Sequence, residues 1–134
     1  MDVFDIIGPV MIGPSSSHTA GAARIGRYAF NILGAKPVKA DIYFSGSFAK
    51  TYKGHGTDKA IIAGILGMDT DDPGIKFSFE TAEFRGLDFT FHTCEIENSH
   101  PNTAYVVLVS EAGNKVEVQG ASVGGGNIVI TKIN

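Results

Sequence analysis

Ser15, Ser16, Ser17, His18 and Thr19 stand in a row behind Gly13-Pro14, where a turn hands over to a helical pattern. The first N–H groups of a helix have no partner inside it. Hydroxyls placed there either cap the helix or join those N–H groups in holding an anion. An ordinary cap needs one side chain, Ser16 or Ser17, and leaves the other four polar groups unexplained. No Asp or Glu occurs in residues 19–23 to offset the positive end of the helix dipole. The chemistry this stretch suits is therefore carboxylate or phosphate binding, with His18 biased toward its neutral form and able to accept a proton. Two further polar stretches could join it. In one, His55 lies between Gly54 and Gly56 beside Lys50 and Lys53; flanking glycines allow backbone to approach a ligand, although a plain surface-loop histidine has the same look. In the other, His100 and Asn102 flank Pro101, where a turn alone would also account for the asparagine.

These residues need elements to position them. Ala22, Ile25, Ala29 and Ile32 recur at helical spacing and predict a helix over 19–33, ended by Gly34. Arg24, Arg27 and Asn31 share its opposite face, while Gly21, Ala22 and Gly26 leave a low surface for another element. Val38, Ala40, Ile42 and Phe44 alternate with polar residues as a half-buried strand. Residues 45–58 read as a long loop with few apolar anchors. Thr57 or Asp58 can cap a second helix over 58–66, apolar on nearly every side, in which Gly64 either counts against the helix or marks close packing. The acidic run 69–74 lacks the alternate-position ligands of a calcium loop and reads as a solvated turn. Residues 75–85 fit a helix or a strand, and Gly86 tips the reading to helix. From Leu87 onward, alternating residues predict an antiparallel meander with turns at Gly113-Asn114 and Gly124-Gly125-Gly126. The apolar lead-in 4–12, broken by two Gly-Pro pairs, is expected to turn beneath the first helix. The expected fold class is α+β: one domain over 1–134, a mainly antiparallel sheet of four or five strands with helices on one face.

Composition narrows the function. A net charge of -3 without a basic stripe, and no Trp, speak against nucleic acid as a partner. The first nine residues carry acids where a signal peptide carries bases, and no apolar run reaches membrane-spanning length. A cytoplasmic protein is expected. One cysteine, Cys94, allows no internal disulfide and no cysteine-rich metal site within this chain.

Three segments carry a resemblance: Ile12-Gly13-Pro14-Ser15-Ser16-Ser17-His18-Thr19-Ala20-Gly21, then Gly46-Ser47-Phe48-Ala49-Lys50-Thr51-Tyr52-Lys53-Gly54-His55-Gly56-Thr57-Asp58, and His100-Pro101-Asn102-Thr103. Together they make the chain closely similar to the beta chains of iron-sulfur-dependent L-serine dehydratases, over a span from Phe4 to Ile130. The resemblance implies a two-chain enzyme, a heterodimer of alpha and beta chains, that converts L-serine to pyruvate and ammonia. It implies a four-iron, four-sulfur cluster held by the cysteines of the alpha chain and not by this one. It also implies a beta domain that helps enclose the substrate, with His18 and His55 near the reacting atoms and Ser15, Ser16, Ser17, Thr19 and Asn102 binding L-serine. The fold would be similar to the extra effector-binding domain of some phosphoglycerate dehydrogenases. Beta chains of this family usually continue past a position like Asn134 into a regulatory domain of the ACT type, which these 134 residues do not include. Two other readings stay open: a non-catalytic module that binds an anion or small molecule, and a structural domain that forms a homodimer.

Overall fold

The computed structural model describes residues 6–7, 17–53, 56–97 and 99–134. Alternating apolar side chains build Pro37–Gly46 (β2), Asp88–Cys94 (β3), Asn102–Ser110 (β4), Lys115–Gly124 (β5) and Asn127–Ile133 (β6) into one sheet, which the two-residue strand Ile6–Ile7 (β1) extends. The spatial order is β1-β6-β5-β4-β2-β3. The helices are Ser17–Leu33 (α1), Ser47–Thr51 (α2), Thr57–Ile65 (α3) and Ser78–Arg85 (α4), with a 3-10 turn at Ile75–Phe77 before α4. One face of the sheet presents Ile42, Phe44, Val106, Leu108, Val118, Ile128 and Ile130, all fully buried, and α1 lies across β4, β5 and β6 on that side. Each such side chain contributes about 1.5–3 kcal/mol by leaving water.

The sheet is mixed, which corrects the expectation of a meander running from Leu87. Only β4, β5 and β6 form one; β3 runs parallel to β2 at the far edge, with Tyr43 opposite His92 and Ser45 opposite Cys94. Parallel neighbours need a crossover, and the segment from α2 through α4 supplies it. Residues 6–7 of the lead-in pair antiparallel with Ile128 and Val129 as an edge strand; the rest of that segment, 1–5 and 8–16, lies outside the described residues. A second correction concerns residues 45–58. Ser47 N–H donates to Pro101 O at 2.6 Å and starts α2, while fully buried Phe48 and nearly buried Tyr52 pack on Phe44, with ring centroids 5.7 and 4.8 Å away. The segment is anchored by two aromatic rings. A third is Ile32, which is 42% exposed; Leu33, four residues past Ala29, takes the inward position instead. Residues 75–85 are helical as expected, and Gly86 ends α4 in the left-handed conformation.

The helices α1 and α3 touch through their backbones. A side chain on Gly26 would fall on Ile61 O, and one on Gly64 would fall on Ala23 O and Arg27 N. Further along, Thr19 Cγ2 lies 3.8 Å from where a side chain on Gly56 would stand, and Phe30 packs on Gly67. Sequence numbers rise together along the two helices, so α1 and α3 run parallel and begin at the same end. Gly64→Ala is therefore expected to cost about 1–3 kcal/mol or more, the penalty of overpacking against backbone. Gly34→Ala, where nothing lies within 4 Å but φ is +66°, should cost less than Gly64→Ala, only the roughly 1–2 kcal/mol of a left-handed backbone. Urea melts of both variants measure this, and equal midpoints would contradict the close crossing.

Candidate functional site

Four elements meet at the shared end of α1 and α3. Ser17 opens α1, and its first turn holds no acidic residue. Beside it, Gly56 adopts φ 76°, ψ 5°, a left-handed conformation that glycine takes without steric cost, and turns the chain into α3. Thr57, the first residue of α3, is fully buried, and its Oγ1 makes no hydrogen bond. A cavity of about 210 Å³ lies along this junction, lined by Thr19, Ala23, Gly56, Lys59, Thr70 and Lys76 among others. Under α1, Ser122 of β5 is also fully buried without a hydrogen bond for its Oγ, which stands where a side chain on Gly21 would be. Thr103 pairs with Ala121, and one step further the same register brings Asn102 opposite Ser122. Both belong to the helix-bearing face of the sheet.

The structure thus sets Thr19 beside Gly56 and Ser122 beneath Gly21, with Thr57 following Gly56 in the chain and Asn102 next to the Thr103–Ala121 pair in the sheet. Asn102 opens β4 opposite Gly46, and its N–H donates to His100 Nδ1 at 3.0 Å. His100 itself points to a neighbouring cleft of about 670 Å³, lined also by Ser45, Lys50, Cys94 and Glu97. Ser15, Ser16 and His55 lie outside the described residues; Ser17 and His18 belong to the first turn of α1 by their backbone. Thr57 and Ser122 are the residues that sequence reasoning missed. Thr57 was legible only as a cap, a position that Gly56 takes instead with no side-chain cap bond, and nothing along the chain announces that Ser122 meets Gly21.

Charge at the junction is positive on balance. Two helix N-termini present their dipoles together, with Lys59 and Lys76 on the rim. The one acid of α3's first turn, Asp58, turns inward on its own helix: its Oδ1 accepts from Lys59 N–H at 2.8 Å. Burial pushes its carboxyl pKa up, against the hydrogen bond and charge of Lys59, which pull it down. The acidic run 69–74 is not merely solvated. Asp69 pairs with Arg27, and Asp72 Oδ1 accepts from Gly74 N–H at 2.7 Å. Among the described residues no group of three or more His, Cys, Asp or Glu could hold a metal ion. Cys94, half-buried on β3, stands alone, so the donor set of this chain does not fit an iron-sulfur cluster.

The profile of the family described as "Serine dehydratase beta chain" matches residues 2–82, more than half of the chain. The chain belongs to that family. It is 55% identical over 132 residues to the probable L-serine dehydratase beta chain of Bacillus subtilis, and 46% identical over 132 residues to the L-serine dehydratase beta chain of Peptoniphilus asaccharolyticus. Each alignment takes in 98% of this chain and 60% of the relative, so the chain spans about six-tenths of the length of these curated relatives. A match to L-serine dehydratase 2 of Escherichia coli is 43% identical over 74 residues, 50% of this chain and 16% of that protein. No helix of the described residues of this beta-chain family member is long and apolar enough to cross a membrane.

The sheet face away from the helices holds a second polar cluster. His92 Nε2 and Asp41 Oδ1 are 2.9 Å apart, the His92 ring stacks on Tyr43 at 4.4 Å, and Tyr105 Oη donates to Glu117. Burial, then the hydrogen bond and charge of Glu117, push the Tyr105 phenol up to about 12.

Thr57→Val replaces an unsatisfied buried hydroxyl by a methyl of the same shape, and it should stabilise the chain by about 1–3 kcal/mol in a urea melt; a loss of stability would show that the hydroxyl has a partner. Tyr105 ionises only about two units above an ordinary tyrosine, so the folded state keeps that proton between about pH 10 and 12 where the unfolded chain has lost it. Stability should fall as pH rises through that window. In a phenolate absorbance titration one tyrosine should ionise last, and Glu117→Gln should bring it earlier, though not to the ordinary value because burial remains.

Proposed function

We propose that this chain is the beta chain of an L-serine dehydratase and that the start of α1 is its contribution to the active site. The observation that carries the reading is a pair of fully buried hydroxyls without hydrogen-bond partners, Thr57 and Ser122, flanking a helix start that lacks a balancing acid. Buried polar groups are rarely left unpaired unless a ligand or function uses them. Membership of the beta-chain family gives the ligand a class, an amino acid, whose carboxylate suits paired helix N-termini.

In this reading the reaction removes the α-proton and the β-hydroxyl of L-serine, and the resulting enamine becomes pyruvate and ammonia by hydrolysis. The alpha chain holds a four-iron, four-sulfur cluster, which supplies the Lewis acid for the departing hydroxyl. This chain binds and orients. Backbone N–H groups of α1's first turn, with Ser15, Ser16, Ser17, Thr19 and Asn102, hold the carboxylate and fix the Cα–H bond. His18, kept neutral by the positive helix end, moves the proton, and His55 stands near it. Thr57 and Ser122 hold the floor of the site until substrate and partner complete it. The 134 residues act as one domain in the cytoplasm, similar in fold to the extra effector-binding domain of some phosphoglycerate dehydrogenases. L-serine and the alpha chain are its partners. A homodimer is compatible with the open sheet face.

The test is a serine-to-pyruvate assay on the chain purified anaerobically with a cluster-bearing alpha chain. His18→Ala is expected to lower kcat by roughly 10²–10⁴-fold, the range for a positioned acid or base, with assembly and cluster absorbance intact. Unchanged turnover in a correctly assembled variant would remove His18 from the reaction. No pyruvate from the assembled pair would overturn the reading as a whole.

A further inference from the structure

Further along α1, on the face turned away from the sheet, Arg24, Arg27, Tyr28 and Asn31 form one wall of a separate cavity of about 210 Å³; Met68, Asp69 and Thr70 form the other. Arg27 is committed to Asp69. Arg24 is not: its Nε is buried and makes no hydrogen bond. Burial lowers its pKa, which the charge of Asp69 partly restores and that of Arg27 lowers further. A guanidinium stays protonated regardless, and a buried, unpaired donor of a cation is costly to maintain. Two arginines thus face one carboxylate across the cavity. Of the other acids on that turn, Asp71 and Asp72 do not line it, and Asp72 is occupied by the N–H of Gly74.

We propose that this cavity is a binding site for a small monocarboxylate, with Arg24 as its anchor. The guanidinium fork matches the two oxygens of a carboxylate. Asp69 in the opposite wall repels a second negative charge, which selects against dianions such as phosphate at neutral pH. Tyr28, Met68 and Ala23 offer apolar contact for a short chain, and the volume lies below the 300–1,000 Å³ typical of drug-sized ligands. Ala23 and Thr70 also line the cavity at the α1–α3 junction, so an occupant here would sit one helical turn from that site without belonging to it. The proposal does not depend on the reading of the chain as a serine dehydratase subunit.

The test is an NMR titration of the ¹⁵N-labelled 134-residue chain with sodium propionate, inorganic phosphate and ethylammonium chloride at constant ionic strength. Propionate is expected to shift the Arg24 Nε–H resonance and the amides of residues 68–70 along one saturable curve, with a Kd of about 1–10 mM. Phosphate should bind at least fivefold more weakly and ethylammonium not at all. Arg24→Gln should abolish the saturable shifts. Asn31→Asp, at an exposed position that does not endanger the fold, should weaken propionate binding fivefold or more by adding a like charge. Shifts that do not saturate, that persist in Arg24→Gln, or that are unmoved in Asn31→Asp would overturn the site. Phosphate binding as tightly as propionate would overturn its assignment to monocarboxylates.

Discussion

The placement of the shared end of α1 and α3 depends on a backbone-to-backbone contact. Gly26 and Gly64 have no side chains, and so α1 and α3 approach until the carbonyls of Ile61 and Ala23 occupy the space where Cβ atoms would stand. Because the helices cross this closely while running parallel, their N-termini are delivered to one place. Two dipole ends of the same sign repel, an arrangement that costs stability unless something negative lies between them. Asp58, the acid best placed to do so, spends its hydrogen bond on its own helix at Lys59. The crossing thus creates an electrostatic demand that the described residues of this chain do not satisfy.

The sheet supplies the floor. The β4–β5 register, which pairs Thr103 with Ala121, carries the neighbouring Asn102 and Ser122 toward one end of the sheet, where Ser122 lies beneath Gly21 of α1. The parallel edge strand β3 lengthens the connection from β2, and that connection contains both α2 and α3. Phe48 and Tyr52 pack that connection onto Phe44, so that the route from β2 to the start of α3 is fixed by aromatic contacts. This is how the sheet governs where Gly56 and Thr57 are placed.

Much of this was legible in the sequence, and the parts that were not share a cause. Periodicity reports which face of an element is buried, so α1, α3 and the alternating strands could be read from Ala22, Ile25 and Ala29 or from Ile42 and Phe44, whereas α4 fits either period and reads as a helix only from Gly86. Gly64 is open to two readings, a weak point in the helix or a close contact, and the structure shows the contact. Periodicity does not report neighbours. The parallel placement of β3 and the short strand at Ile6–Ile7 depend on pairing between distant residues, and a five-residue helix such as α2 is too short to leave a period. At the site, the motif hydroxyls of residues 15–19 stood out by their density. Ser122 is one serine in a strand, and only the packing of Gly21 on it gives it meaning.

In the proposed function the unsatisfied hydroxyl at the start of α3 is kept for the reaction and not for the fold. Turnover of L-serine by the assembled two-chain enzyme carrying Thr57→Val tests it most directly, because the substitution preserves shape and removes only the hydrogen-bonding group. If the hydroxyl serves the reaction, kcat/KM falls by about tenfold or more, the loss of one hydrogen bond to a charged group, in an enzyme that assembles normally. Full activity in that variant would contradict it.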